Sequence, residues 1–287
     1  MNVELETMND MITAVAEDQL EKLKNSYMNR IVFAVITLAV LASCSGYSYQ
    51  ILGTANGSAL DDKQKLYLRT IDKDNAIDSC EVVHGKFHFS GARDSVAMAL
   101  MYISGSTAGV PVVLEEGDIT VTIGQRAPSL KGSYYNDQLN IFLKSHDSLQ
   151  YQMEQLQARM AELPHKHSQA IMDGLDMSEV ELELMQESRQ IEREAMVLNA
   201  KMDSLMASAI VSNADNVLGT GIFYLATRNY PYQTMLPWIV EVMSKTGDTF
   251  KNNRYVRDYV NQANMNQRRE LGLEPSQQGT GPAQAGE

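Results

Sequence analysis

The 287-residue sequence predicts an α+β fold: an N-terminal antiparallel β-sandwich, then a long antiparallel helical hairpin and a set of short helices. Three patterns carry this prediction. Residues 46–124 fall into short runs rich in β-branched and aromatic residues, with turn-forming stretches about every 8 to 12 residues. Residues 136–163 and 178–211 each carry one apolar stripe that repeats every seven residues. Residues 213–273 hold shorter helical periodicities punctuated by Pro231 and Pro237.

Seven strands are expected, at 47–52, 65–71, 77–83, 86–90, 96–103, 110–114 and 119–123. Between them, Asn56-Gly57-Ser58, Asp72-Lys73-Asp74-Asn75, His84-Gly85, Gly91-Ala92-Arg93-Asp94 and Glu115-Glu116-Gly117-Asp118 offer left-handed and Asx-turn conformations. In Lys86-Phe87-His88-Phe89 the two rings alternate to one face, as a half-buried strand requires.

The first helical stripe uses Phe142, Leu149, Leu156 and Leu163, with Met153 and Met160 interleaved. Pro164 is expected to stop that helix, which places His165-Lys166-His167 in the connection. The second stripe uses Leu184, Ile191, Leu198 and Leu205, with Ala195, Met202 and Ala209. Mutual packing within one chain is the first reading; a dimerising coiled coil, giving weak self-association through the hairpin, is the second. Farther on, Trp238, Ile239, Val242 and Met243 form one expected buried face, and Tyr255, Val256, Tyr259 and Val260 another. From Glu274 onward Pro, Ser, Gln, Gly and Ala replace large apolar residues, so 274–287 is expected to be a disordered tail.

Arg30 precedes residues 31–42, in which only Thr37 is polar. That run is shorter than the roughly 20 residues of a spanning helix, and it ends in small residues, as an export signal does. Leu41-Ala42-Ser43-Cys44 resembles a bacterial lipobox, which implies cleavage between Ser43 and Cys44 and acylation, palmitate included, of Cys44. The competing readings are a buried helix and an uncleaved anchor. Residues 1–27 are acidic, the wrong charge for a leader, so Met28 is the expected start and 1–27 an upstream extension; an acidic cytosolic helix is the alternative. The expected organisation is therefore 1–27 extension, 28–43 signal peptide, 44–127 β-sandwich, 128–212 hairpin, 213–273 short helices and 274–287 tail. A lipid-anchored protein facing the periplasm follows. The outer membrane is the expected location, with the inner membrane left open.

The formal charge of −12 argues against some partners. Removing residues 1–43 leaves 21 basic against 30 acidic residues, a charge of −9, and no basic face suited to displacing counterions from a nucleic acid. Lys251, Arg254 and Arg257, interleaved with Tyr255 and Tyr259, read as a solvated helix face rather than a polyanion site. With Cys44 acylated, Cys80 is the only thiol, so the mature chain can form no internal disulfide and has no Cys-x-x-Cys pair. Asp78 and Glu81 beside Cys80 are expected to raise its pKa, and its strand position to bury it. His165 and His167, with Asp173 and Asp176, and the pair His84 and His88 carry groups that can ligate a metal. Neither set has the spacing of a metal site, so no metal and no cofactor is expected. No Gly-x-Gly-x-x-Gly, Walker A, His-Glu-x-x-His or Gly-x-Ser-x-Gly motif occurs, so no catalytic residue is assigned.

Asp78-Ser79, His84-Gly85-Lys86-Phe87-His88-Phe89-Ser90-Gly91, Val113-Leu114-Glu115-Glu116-Gly117-Asp118-Ile119-Thr120-Val121 and Lys131-Gly132-Ser133-Tyr134-Tyr135-Asn136-Asp137 together point to a family. They resemble the uncharacterised N-terminal domain of certain bacterial lipoproteins, over about residues 46–260. The resemblance implies a β-domain and a helical segment that in such proteins commonly precede a thioredoxin-like disulfide oxidoreductase domain. After residue 260 this sequence has no βαβ pattern and no Cys-x-x-Cys, so no catalytic residue carries over. The expected function is a non-enzymatic envelope lipoprotein that binds or positions another protein. The alternatives are an accessory or degenerate member of a thioredoxin-like thiol-disulfide exchange system, and an enzyme whose dispersed site shows no motif.

Overall fold

The computed structural model describes residues 47–273 apart from 56–59, 74, 104–105, 107–108, 125 and 231; Ser43, Cys44 and the signal segment lie outside the described residues. It is an α+β fold with the expected order of sandwich, hairpin and short helices. The strands are β1 (Tyr47–Ala55), β2 (Lys65–Thr70), β3 (Asp78–Glu81), β4 (Lys86–Arg93), β5 (Ala97–Ile103), β6 (Gly109–Leu114), β7 (Gly117–Ile123) and β8 (Ser129–Lys131). The helices are α1 (Tyr134–Met172), α2 (Met177–Ser212), α3 (Val217–Thr227), α4 (Pro237–Lys245), α5 (Asp248–Lys251) and α6 (Arg254–Glu270). Among the described residues no helix is long and apolar enough to cross a membrane.

One sheet has the order β4-β1-β7-β8 and the other β3-β2-β5-β6. Every pairing is antiparallel except β1 with β7, which run parallel from Tyr49 beside Gly117 to Ala55 beside Ile123. Alternation sends Ile51, Phe87, Phe89, Ile119, Val121 and Leu130 of the first sheet into the core, with Leu66, Leu68, Met101 and Val112 from the second. Strand β5 breaks the alternation because it is covered on both faces. Met98 and Leu100 are buried on its outer side, and Gly221 of α3 sits so close to Met98 that an added Cβ would lie 2.4 Å from its methyl carbon. The second sheet is thus the middle layer between the first sheet and the short helices.

The hairpin turn at His84-Gly85 forms as expected, with φ of 51° and 69° and reciprocal bonds between Val83 and Lys86. Gly91-Ala92-Arg93, expected as a turn, instead continues β4. Tyr49 lies opposite Gly91 with its ring over the glycine, and Phe87 covers Gly53 in the same way. A glycine shielded by a cross-strand ring loses less from lacking a side chain.

The sequence also placed the end of the first helix wrongly. Pro164 lies inside α1, which runs to Met172, so His165-Lys166-His167 is helical. Proline forfeits one backbone bond, but Pro164 is on the exposed side, where water can serve the freed carbonyl. Packing against α2 carries the helix past it: Lys166 Nζ lies 2.7 Å from Glu187 and Arg159 Nη1 lies 2.8 Å from Glu194. The true connection is residues 173–176, where Gly174 takes φ of 69° and Asp176 caps α2 through the Ser178 N–H.

Both predicted stripes pack on each other. Leu156, Ile191 and Leu198 are buried in the seam, flanked by Leu149, Met153, Met160, Leu163 and Ala195. Nearer the base, Phe142, Met206, Ala207 and Ile210 join the main core. There Phe223 of α3 is surrounded edge-on by Trp238, Phe250, Tyr255 and Tyr259, with ring centroids 5.4 to 5.9 Å away for all but Tyr255, at 6.2 Å.

Candidate functional site

A hairpin that projects from a sandwich is useful only if its base is held, and the base is held by polar side chains. Strands β8 and β6 each end one of the two sheets, and α1 packs against both. Asn136 and Asn140 stand one turn apart on that helix. Asn136 Oδ1 accepts from the Val113 N–H at 2.9 Å, and its Nδ2 donates to the Val113 carbonyl at 2.7 Å, so the amide replaces a missing strand on β6. Asn140 Oδ1 accepts from the Leu130 N–H of β8 at 3.0 Å. Two side chains thereby satisfy edge groups of both sheets.

Glu115 completes the junction. Its Oε1 accepts from the backbone N–H groups of Tyr135 and Asn136, at 2.8 and 3.0 Å, and from Asn136 Nδ2 at 3.2 Å. The carboxylate caps α1 from another element, where the N-cap residue Ser133 makes no side-chain cap bond. Gly132, at φ of 102°, leads into the helix; a Cβ there would lie 2.2 Å from the Asp118 carbonyl oxygen. The residues that suggested a family thus meet in space: Glu115 and Asp118 of one motif against Gly132, Ser133 and Asn136 of the other. Their task is to fix where the hairpin leaves the sandwich.

The far end of the hairpin is different in character. Ile171, Met172, Leu175 and Leu182 are each at least 50% exposed, with Met172 at 78%. Ala170 is the only fully buried residue of α1 beyond Leu156. Around this apolar tip stand Asp173, Asp176, Glu179, Glu181 and Glu183. Midway along, Tyr151, Leu156, Val197 and Leu198 line an open groove of about 500 Å³ with Arg193 and Glu194 at its rim. Arg126 holds Tyr151 from the sandwich side: its guanidinium carbon lies 4.5 Å from the ring centroid while its Nε and Nη2 bind Asp147.

The other residues singled out in the sequence are scattered. Cys80 is half-buried on β3, and burial above all pushes its thiol pKa up, a donated backbone N–H of His88 opposing and Asp78 adding to the rise. His84 lies 3.5 Å from Asp62, and His167 lies 3.9 Å from Glu181 across the hairpin. Among the described residues no three His, Cys, Asp or Glu side chains cluster as a metal site. Arg254 and Arg257 both lie against Asp258, while Tyr255 and Tyr259 turn into the core.

Residues 49–139 match a family model described as a domain of unknown function (DUF4369). The domain is an uncharacterised one. The match begins in β1 and ends at Leu139 in α1, so it takes in the sandwich with Glu115 and Asn136 of the junction, but neither Asn140 nor the tip. No curated protein matches the chain.

Proposed function

We propose that this protein is a non-enzymatic lipoprotein of the bacterial cell envelope that holds a partner protein on the tip of its helical hairpin. The observation that carries the reading is the contrast between a base fixed by Asn136, Asn140 and Glu115 and a tip that leaves Ile171, Met172, Leu175 and Leu182 in water. An apolar patch ringed by Asp173, Asp176 and Glu179 suits a protein surface with an apolar centre and basic rim. The same acidic ring disfavours an anionic lipid surface and disfavours tip-to-tip pairing of two copies. Leu41-Ala42-Ser43-Cys44 supports tethering through an acylated Cys44, facing the periplasm from the outer membrane.

Site-specific photo-crosslinkers at Met172 and Leu182 in living cells test the partner. One protein should be captured from both tip positions and not from Val240 on α4, which is 51% exposed. Its capture from Leu182 should fall when Met172 and Leu175 are changed to Asp. No adduct, or equal adducts from Val240, would remove the tip from consideration. Cys44→Ala should separately abolish membrane fractionation; retention at unchanged mass would defeat the anchor.

A further inference from the structure

The outer face of the β3-β2-β5-β6 sheet carries a ladder of cations and rings. Lys65 Nζ lies 5.6 Å from the centroid of Tyr67, Tyr67 stacks on Tyr102 at 5.8 Å, and the Arg69 guanidinium carbon lies 5.4 Å from the centroid of Tyr102. At the end of α3 the ladder meets a cavity of about 330 Å³ lined by Arg69, Tyr102, Tyr224, Arg228 and Asn229 over the buried Leu100. Both arginines are half-buried, and among the described residues neither is paired with a carboxylate.

Pairing would be easy to supply in a chain with 36 acidic residues against 24 basic ones. Arg228 caps the C-terminus of α3, where the helix dipole favours a cation, so one charge has a structural account. Arg69 comes from β2, where it rests on the Tyr102 ring with no helix end and, among the described residues, no carboxylate to balance its charge. Two cations turned into one partly desolvated space repel each other, and the repulsion is relieved when an anion enters.

We propose that this cavity binds a small organic oxyanion, a carboxylate or phosphate carried on a flat apolar body. Guanidinium groups match such oxygens with paired N–H donors, Asn229 adds an amide, and the tyrosine rings offer flat walls for the apolar part. The volume lies at the lower end of the roughly 300 to 1,000 Å³ usual for ligand sites, which suits a small ligand. This site is independent of the hairpin tip.

The test is calorimetric titration of the full chain, in non-ionic detergent at fixed ionic strength, with phenyl phosphate, benzoate and inorganic phosphate. One molecule of phenyl phosphate should bind per chain, about tenfold or more tighter than inorganic phosphate. Arg69→Gln with Arg228→Gln should weaken it about tenfold or more while circular dichroism stays unchanged. Arg228→Gln alone, which touches only a half-buried helix end, should give a smaller loss in the same direction. Arg254→Gln with Arg257→Gln should change nothing. No binding of any probe at about 10 mM, or binding that survives both Arg69 and Arg228 substitutions, overturns the proposal.

Discussion

Replacing Asn136 with Leu tests whether the junction, rather than apolar contact alone, holds the hairpin to the sandwich. The two side chains have similar volume, so the cavity term is small and the polar term dominates. Asn136 is fully buried and serves the Val113 N–H, the Val113 carbonyl, Glu115 and the Ser133 hydroxyl. Leucine leaves both Val113 groups without partners in a site that admits no water, and each unsatisfied group costs about 1 to 3 kcal/mol. Glu115 keeps its two backbone donors, so its contribution to the loss is minor. The expected destabilisation is therefore about 2 to 6 kcal/mol. Urea unfolding measured by far-UV circular dichroism gives the value directly. Asn140→Ala, which removes one bond at a half-buried position, should cost about 1 kcal/mol and serves as the internal comparison. If Asn136→Leu costs less than about 1 kcal/mol, the amide is not the element that closes the β6 edge.

Leu198→Asp places a carboxylate in the seam beside Leu156 and Ile191, and should lower helicity and the thermal midpoint at a cost of several kcal/mol; unchanged spectra would mean the two stripes do not depend on each other. Burial lowers the pKa of His146, with Asp147 opposing it, so the folded state resists protonation. Stability is complete above the unfolded value of 6.5 and declines as pH falls through that value towards the lower folded one; His146→Gln should flatten this slope, and a parallel slope in both proteins would refute it. Cys80, with its pKa raised by burial, should give no acceleration of insulin reduction by dithiothreitol, and a rate that vanishes in Cys80→Ser would favour the thiol-exchange alternative.

Elements with a local signal were legible in the sequence. Seven strands announced themselves by composition and turns, and both hairpin helices by heptad stripes that do pack together. Features set by distant partners were not. Strand β8 has three residues after Pro128 and exists because β7 and Asn140 supply its bonds. The parallel pairing of β1 with β7 leaves no mark in either segment. Gly91 looked like a turn because the ring that covers it is 42 residues away in Tyr49. Pro164 carries a local penalty that interhelical ion pairs and packing outweigh. Glu115 and Asn136 were visible as motif residues, but their joint role needs a contact across 21 positions.

Packing along the hairpin falls off from base to tip. Leu139, Phe142, Met206, Ala207 and Ile210 belong to the main core, the middle rests on Leu156, Ile191 and Leu198, and beyond them Ala170 is the only fully buried side chain. Free energy of local opening follows buried apolar contact, so the last turns on either side of Gly174 are the least stable part of the hairpin. Stability alone does not account for Ile171, Met172, Leu175 and Leu182, since polar residues would keep an isolated tip in water at lower cost. Nor does the base need the tip, because Asn136, Asn140 and Glu115 fix the direction of α1 within its first two turns. What remains is a surface carried about 58 Å from the start of α1, at about 1.5 Å per residue over its 39 residues, to a place the sandwich does not reach.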